Sequence, residues 1–281
     1  KRAGIFADVN LDPDIRSVRE TIKYGLKGIS AYAHQARFIG YENPDVNVFY
    51  FKALDLLTDS KANLNDYIAL MLETGEAAYK IMETLDTANN ETYAPPTPHK
   101  VNVNVKKGPA IVVSGHDFRD LEMLLQQTEG KGINIYTHGE MIPAHGYDNL
   151  KKYPHLVGNY GGAWQNQQKE FADLPGCVLM TTNCLMRPMK TYSDRIYTTN
   201  VVGWDGLKYI PKKPDGTKDF SEMINQALAL GGFPEDQPVK EILVGFGHKT
   251  VLSHAEHILE SVKKGDISRF FVIGGCDGAK P

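Results

Sequence analysis

The chain has 281 residues, room for about two domains, and its 42% apolar content is ordinary for a protein that fills a core. The formal net charge is only −3, with acids and bases mixed along the chain; this leaves no basic footprint for nucleic acid and no polybasic patch for an anionic membrane. No apolar run reaches the roughly 18 residues that a membrane-spanning helix needs, and the opening Lys1–Phe6 stretch has no signal-peptide apolar region.

The first ninety or so residues read as helices. Val18, Ile22, Leu26 and Ile29 recur at three- and four-residue spacing and share one face. Gly40 ends that segment and Asn43-Pro44 marks a turn. Val48 to Leu57 is helix-compatible, and Asn65 to Leu85 predicts another helix with Ile68, Leu72 and Tyr79 on one side. A packed helical bundle over residues 1–98 accounts for this pattern. The proline-rich run from Tyr93 to Pro98 cannot continue a helix.

Beyond it, short β-rich runs alternate with helical ones. Ala110–Val113 leads into Ser114-Gly115-His116-Asp117, and Phe118–Thr128 reads as a helix. Ile133–Tyr136 leads into Thr137-His138-Gly139-Glu140. Val178–Met180 leads into Thr181-Thr182-Asn183-Cys184. Ile196–Thr198 and Val201-Val202 suggest a further strand. Such alternation predicts a parallel, Rossmann-like α/β domain over residues 99–225. Ile210 to Lys218 reads as a loop and Phe220 to Leu230 as a helix. The start of a second Rossmann-like domain is expected over residues 226–281: a strand at Glu241–Val244, a helix at Thr250–Val262 and a strand at Phe270–Ile273. The opening on Lys1 rather than Met, and the end one or two strands into a domain, read as the ends of a fragment.

The three cysteines, Cys177, Cys184 and Cys276, form no CxxC pair. So sparse and odd a set is not a disulfide framework and suits a reducing cytoplasm. Open parallel sheets bind ligands beyond the carboxyl ends of their strands. Four such ends carry residues able to bind metal: His116, Glu140, Cys184 and Cys276. Thiolate favours iron–sulfur chemistry, and imidazole and carboxylate suit iron with oxygen ligands or open positions. Each residue also has a plain structural reading. Cys184 suits a buried small apolar side chain, His116 a neighbour of the helix cap Asp117, and Glu140 a surface acid. Gly274 to Gly278 could be an anion-binding turn. Cys177, beside Pro175-Gly176, reads as structural. No GxGxxG follows any strand, so the dinucleotide fingerprint is absent.

Several segments carry a resemblance: Ser114–Asp117 (SGHD), Tyr136–Gly146 (YTHGEMIPAHG), Lys151–Trp164 (KKYPHLVGNYGGAW), Met180–Cys184 (MTTNC), Gly274–Pro281 (GGCDGAKP) and the helical Tyr24–Ala33. Together they resemble the hybrid-cluster, or prismane, protein family of hydroxylamine reductases over essentially the whole chain. The resemblance implies a hybrid iron–sulfur–oxygen cluster (4Fe-2O-2S), with His116, Glu140 and Cys184 as ligands and Cys276 as the cysteine that can carry a persulfide. The family's two further cysteines and second glutamate would lie beyond Pro281. The cysteines of its second iron–sulfur cluster would precede Lys1, so the chain as given is expected to hold an incomplete ligand set, or no cluster. The implied reaction is reduction of hydroxylamine to ammonia and water, with nitric oxide as another substrate. Electrons would come from a separate electron-donor reductase, with no nucleic acid or membrane partner. His138, Asn183 and His145 are then candidates for supporting hydrogen bonds or proton delivery. Two other readings stand beside it: a carbon monoxide dehydrogenase-like metalloprotein and a metal-free nucleotide-binding α/β domain.

Overall fold

The computed structural model describes residues 9–272 and divides into two compact units, Lys1–Thr92 and Tyr93–Pro281. Helices α1 (Pro13–Phe38), α2 (Pro44–Thr58) and α3 (Leu64–Tyr93) supply the first. Their starts follow from side-chain chemistry. The Asp12 carboxylate accepts the N–H groups of Asp14 and Ile15 ahead of α1, and Pro13, which has no N–H to satisfy, takes the first helical position. Asn43 and Pro44, read above as a turn, do the same for α2. Ile22, Leu26 and Ile29 of α1 are buried against Val46, Ala53 and Leu57 of α2 and Tyr67, Leu70, Ala77 and Ile81 of α3.

The expected apolar side of α3 needs correction. Ile68, Leu72 and Tyr79 are 38%, 65% and 65% exposed, whereas Tyr67, Leu70, Thr74, Ala77 and Ile81 are buried. The latter follow the three-and-four spacing over four turns. Their face meets α1 where Gly25 permits close approach: a Cβ there would lie 2.5 Å from Thr74 Cγ2.

The second unit contains, in order, β1 (His99–Asn102), β2 (Ala110–Ser114), α4 (Phe118–Thr128), β3 (Asn134–His138), a 3-10 helix (Gly139–Gly146), α5 (Asp148–Lys151), β4 (Leu156–Asn159), α6 (Gln167–Asp173), β5 (Cys177–Met180), β6 (Ile196–Thr198), β7 (Lys208–Tyr209), α7 (Ser221–Leu230), β8 (Glu241–Val244), α8 (His248–Ser253) and α9 (Ala255–Lys264). Six strands form one parallel sheet in the order β4-β3-β2-β5-β6-β7. This is the doubly wound order, whose first strand is central, and it bears out the predicted parallel Rossmann-like sheet behind an N-terminal set of helices. All five residues of β2 are buried, which explains its unbroken apolar run: a parallel strand covered on both faces has no solvent side.

Three details differ from expectation. Val201-Val202 adds no strand; the chain turns there and Val201 is 82% exposed. The helix expected over Thr250–Val262 is split at His254 into α8 and α9. Phe270–Val272 carries no strand and is largely exposed. Among the described residues no partner strand lies beside it, and an apolar run becomes a strand only by pairing. Ile273 lies outside the described residues. The strand at Glu241–Val244 is present and pairs antiparallel with β1.

Ile22 is fully buried and Val48 is 70% exposed. Ile22→Ala is therefore expected to lower unfolding free energy by about 2–5 kcal/mol, and Val48→Ala by about 0.5 kcal/mol at most. Denaturant titration of the two variants checks this.

Candidate metal centre

The sheet order reverses between β2 and β5, so the connections leaving their carboxyl ends diverge and open a crevice. His116 follows β2, Glu140 follows the adjacent β3, and Cys184 follows β5. The structure brings these three side chains together. His116 Nε2 lies 2.5 Å from Glu140 Oε2, Cys184 Sγ lies 3.5 Å from the same oxygen, and one ligand atom from each falls within 4.8 Å of the others. Cys276 lies outside the described residues. Cys177 takes no part: it is buried within β5, and burial pushes its thiol up to about 12.

Glu140 and Cys184 line a cavity of about 380 Å³, with Ser114, Asn159, Trp164 and Ile242 also in its wall. A single water fills about 30 Å³, so there is room for a group of several atoms. The donor set also speaks to the occupant. A structural zinc site closes with four ligands, mostly Cys and His, whereas only one thiolate, one imidazole and one carboxylate gather here among the described residues. Mixed soft and hard donors suit iron carrying both sulfur and oxygen. The residues present therefore fit the cluster that the resemblance implies.

Close backbone contact sets the positions of the donors. Gly115 has φ +109°, and a Cβ on it would come 2.4 Å from Thr181 Oγ1 and 2.7 Å from the Thr182 nitrogen. Only glycine lets the β2 and β5 loops meet so closely. Thr182 Oγ1 accepts the His116 backbone N–H at 2.9 Å and also lies 2.9 Å from His116 Nδ1, which turns Nε2 toward Glu140. Asn183 and Cys184 both have left-handed backbone, at φ 38° and 50°, a conformation that costs a side-chain-bearing residue about 1–3 kcal/mol. Gln167 steadies this segment: its Nε2 donates to the Cys184 carbonyl and its Oε1 accepts the Met186 N–H at 3.2 Å.

Of the supporting candidates, His138 is buried between Ser114 Oγ at 3.1 Å and Glu170 Oε2 at 2.9 Å. Glu170 Oε1 accepts the Gly162 N–H at 2.9 Å, so this carboxylate links the carboxyl end of β3 to the cavity wall. His145 is also buried, with Nε2 3.0 Å from Thr137 Oγ1, and it is not among the three convergent donors. Asn183 is exposed and contributes its backbone conformation. Sequence reasoning missed Thr182, Gln167 and Glu170. The MTTNC segment was a pointer to Thr182; no local signal marked the other two.

The sequence profile described as the Prismane/CO dehydrogenase family matches residues 4–281. A protein of Kosmotoga olearia named hydroxylamine reductase is 51% identical over 279 residues, which cover 99% of this chain and 50% of that protein. Proteins of the same name from Thermodesulfovibrio yellowstonii and Methanocella arvoryzae are 52% and 49% identical, over 95% and 100% of this chain and 49% and 51% of their own lengths. The chain thus spans about half the length of the curated relatives it matches. A solved structure of closed and open α subunits of acetyl-CoA synthase/carbon monoxide dehydrogenase, with NiZn[Fe4S4] and NiNi[Fe4S4] clusters, matches at a TM-score of 0.62 and 10% identity, over 89% of this chain and 54% of that one. At that identity the likeness concerns fold alone.

Two outcomes are expected from this geometry. Gly115→Ala should destabilise the chain by about 1–3 kcal/mol from backbone strain alone, read from the denaturation midpoint, with further loss from the clash at Thr181. The second concerns pH. Burial lowers the His145 pKa to about 4, against about 6.5 in an unfolded chain. Between those values the unfolded state binds more protons, so stability rises with pH. The contribution is complete above about pH 6.5 and is lost as pH falls to about 4, a change of about 3 kcal/mol. In unfolding measurements from pH 7 to 4, His145→Gln should flatten that slope.

Proposed function

The chain belongs to the Prismane/CO dehydrogenase family, and on that basis we propose that it is part of a longer hydroxylamine reductase and supplies ligands to its hybrid iron–sulfur–oxygen cluster. His116 Nε2, Glu140 and Cys184 Sγ would hold the cluster, joined by Cys276 and by ligands outside this chain. Convergence of an imidazole, a carboxylate and a thiol within 4.8 Å, the last two lining a cavity, is the observation that carries this reading. The names of the relatives at about half identity favour hydroxylamine as substrate; nitric oxide, a second candidate, rests on the family resemblance alone. The relatives' greater length accommodates a second iron–sulfur centre, which would receive electrons from a separate reductase. Among the described residues no helix is long and apolar enough to cross a membrane; we propose a cytoplasmic enzyme, whose residues 226–281 open a second α/β domain.

The reaction is NH₂OH + 2e⁻ + 2H⁺ → NH₃ + H₂O, and the cluster, when bound, supplies the electrons and an electrophilic iron. The protein's own part is to position and enclose. Thr182 orients the His116 ring through Nδ1. Gln167 holds the Cys184 carbonyl. Ile142, Ala163, Trp164 and Ile242 give the cavity an apolar wall that limits water. Carbon monoxide chemistry is a second reading, prompted by the family's own description.

The test is anaerobic expression of the longer protein with iron, sulfide and nickel analysis and hydroxylamine-dependent oxidation of a dye reductant. Expected are iron and sulfide without nickel, and turnover. Cys184→Ala should lower both cluster content and rate at least about ten-fold, while Cys177→Ala leaves both near the unmodified level. Bound nickel with carbon monoxide oxidation would overturn the assignment. The 281-residue chain alone, without the remaining ligands, is expected not to turn over.

A further inference from the structure

We propose that Lys218 is a positioning residue for the His116 and Cys184 ligand loops, acting through Asp120 and Asn200; this rests on reading those loops as ligand-bearing. Lys218 comes from a stretch whose sequence reads as a loop, and it is only 2% exposed. Its Nζ lies 2.5 Å from Asp120 Oδ1 and 2.6 Å from Asn200 Oδ1. The Asn200 amide nitrogen then faces Asp120 Oδ2 at 2.8 Å, Asp117 Oδ2 at 3.0 Å and the Thr181 carbonyl at 3.2 Å. Asn200 holds left-handed backbone, φ 56°, to reach all of these.

The endpoints of this cluster give it its meaning. Asp117 caps α4, accepting the N–H groups of Arg119 and Asp120, and is the residue after His116. Thr181 precedes Thr182, whose hydroxyl holds His116, and opens the segment that runs to Cys184. The cluster therefore ties the β2 loop to the β5 loop from beneath. Asp117 and Asp120 are 4% and 0% exposed, and two carboxylates so buried repel each other unless a cation sits between or beside them. Lys218 is that cation. The chain around it is pinned to α4: Gln127 donates to the Lys218 carbonyl at 2.8 Å and accepts the Phe220 N–H at 3.0 Å. Lys218 also anchors the Asn200 amide that joins Asp117 and Asp120 to the Thr181 carbonyl, so its loss would slacken the link between the two ligand loops even where the sheet stays folded.

The experiment uses the full chain with cobalt(II) as the probe, reading thiolate-to-cobalt absorption and affinity, with no turnover required. Variants are Lys218→Met, Asn200→Gly, which keeps the left-handed backbone and deletes only the amide, and Ile22→Ala as a destabilised control in the helical unit. Lys218→Met and Asn200→Gly should weaken cobalt binding at least about ten-fold, with Ile22→Ala binding like the unmodified chain. If Lys218→Met does not fold, Asn200→Gly decides. A Cys184-dependent band with unchanged affinity in the folded variants overturns the positioning role alone. Cobalt absorption and affinity both unchanged by Cys184→Ala overturn the ligand reading and this proposal with it.

Discussion

Strands β2 and β5 lie side by side at the centre of the sheet, and the chain winds outward from them in two directions, through β3 to β4 and through β6 to β7. Everything in the candidate centre depends on that reversal. Loops leaving neighbouring strands on the same winding side pack against one another; loops leaving the reversal point touch at their first residues and then part, and leave a crevice that side chains can fill. The backbone ladder fixes the rest. Ser114 is in register with His138 on one side and Met180 on the other. His116, Glu140 and Cys184 therefore begin from strand ends held at one level, and only a few loop residues remain to be placed.

Those few residues are placed by contacts that combine small size with polarity. Gly115 allows the loops to touch, Thr181 and Thr182 bridge them, and Gln167 takes up the carbonyl of a cysteine whose own backbone is left-handed. Two successive side-chain-bearing residues with positive φ do not persist unless their surroundings determine them. A site that must hold a rigid cofactor gains from such over-determination, because ligands already in position lose little freedom on binding.

How much of this was legible in the sequence varies by the range of the interaction. β2, α4 and β5 were readable because each is a local pattern: an unbroken apolar run for a strand buried on both faces, and Asp117 as a cap ahead of Leu121, Leu124 and Leu125. β1 was not, because it has a single apolar residue, Val101, and its partner β8 lies some 140 residues along the chain. β7 has two residues and owes its assignment to the edge of β6. The α3 face was misjudged because apolar residues lie on more than one side of that helix, and the choice among them belongs to α1 and α2. The candidate ligands were legible as strand-end residues and through a dense family resemblance. Thr182, Gln167, Glu170 and Lys218 were not, since each acts on a group far away in sequence.

The His116–Glu140 contact carries one more consequence. Thr182 Oγ1 accepts the His116 backbone N–H and sits at the same distance from Nδ1. A single hydroxyl thus fixes both where the loop runs and how the ring turns. With Nδ1–H donating to that oxygen, Nε2 of a neutral ring presents a lone pair. It does so at 2.5 Å from Glu140 Oε2, itself an acceptor. Two lone pairs at that distance repel; a hydrogen on Nε2 removes the repulsion by donating to the carboxylate, with Nδ1 then accepting from the Thr182 hydroxyl, and a metal ion bound by both atoms removes it as well. The Sγ of Cys184, 3.5 Å from the same carboxylate oxygen, adds a third electron-rich atom once it is a thiolate. The geometry imposed by the sheet therefore gathers three groups able to bind a metal ion at one point, and a cation bound there would take the place of the hydrogen that otherwise joins His116 to Glu140.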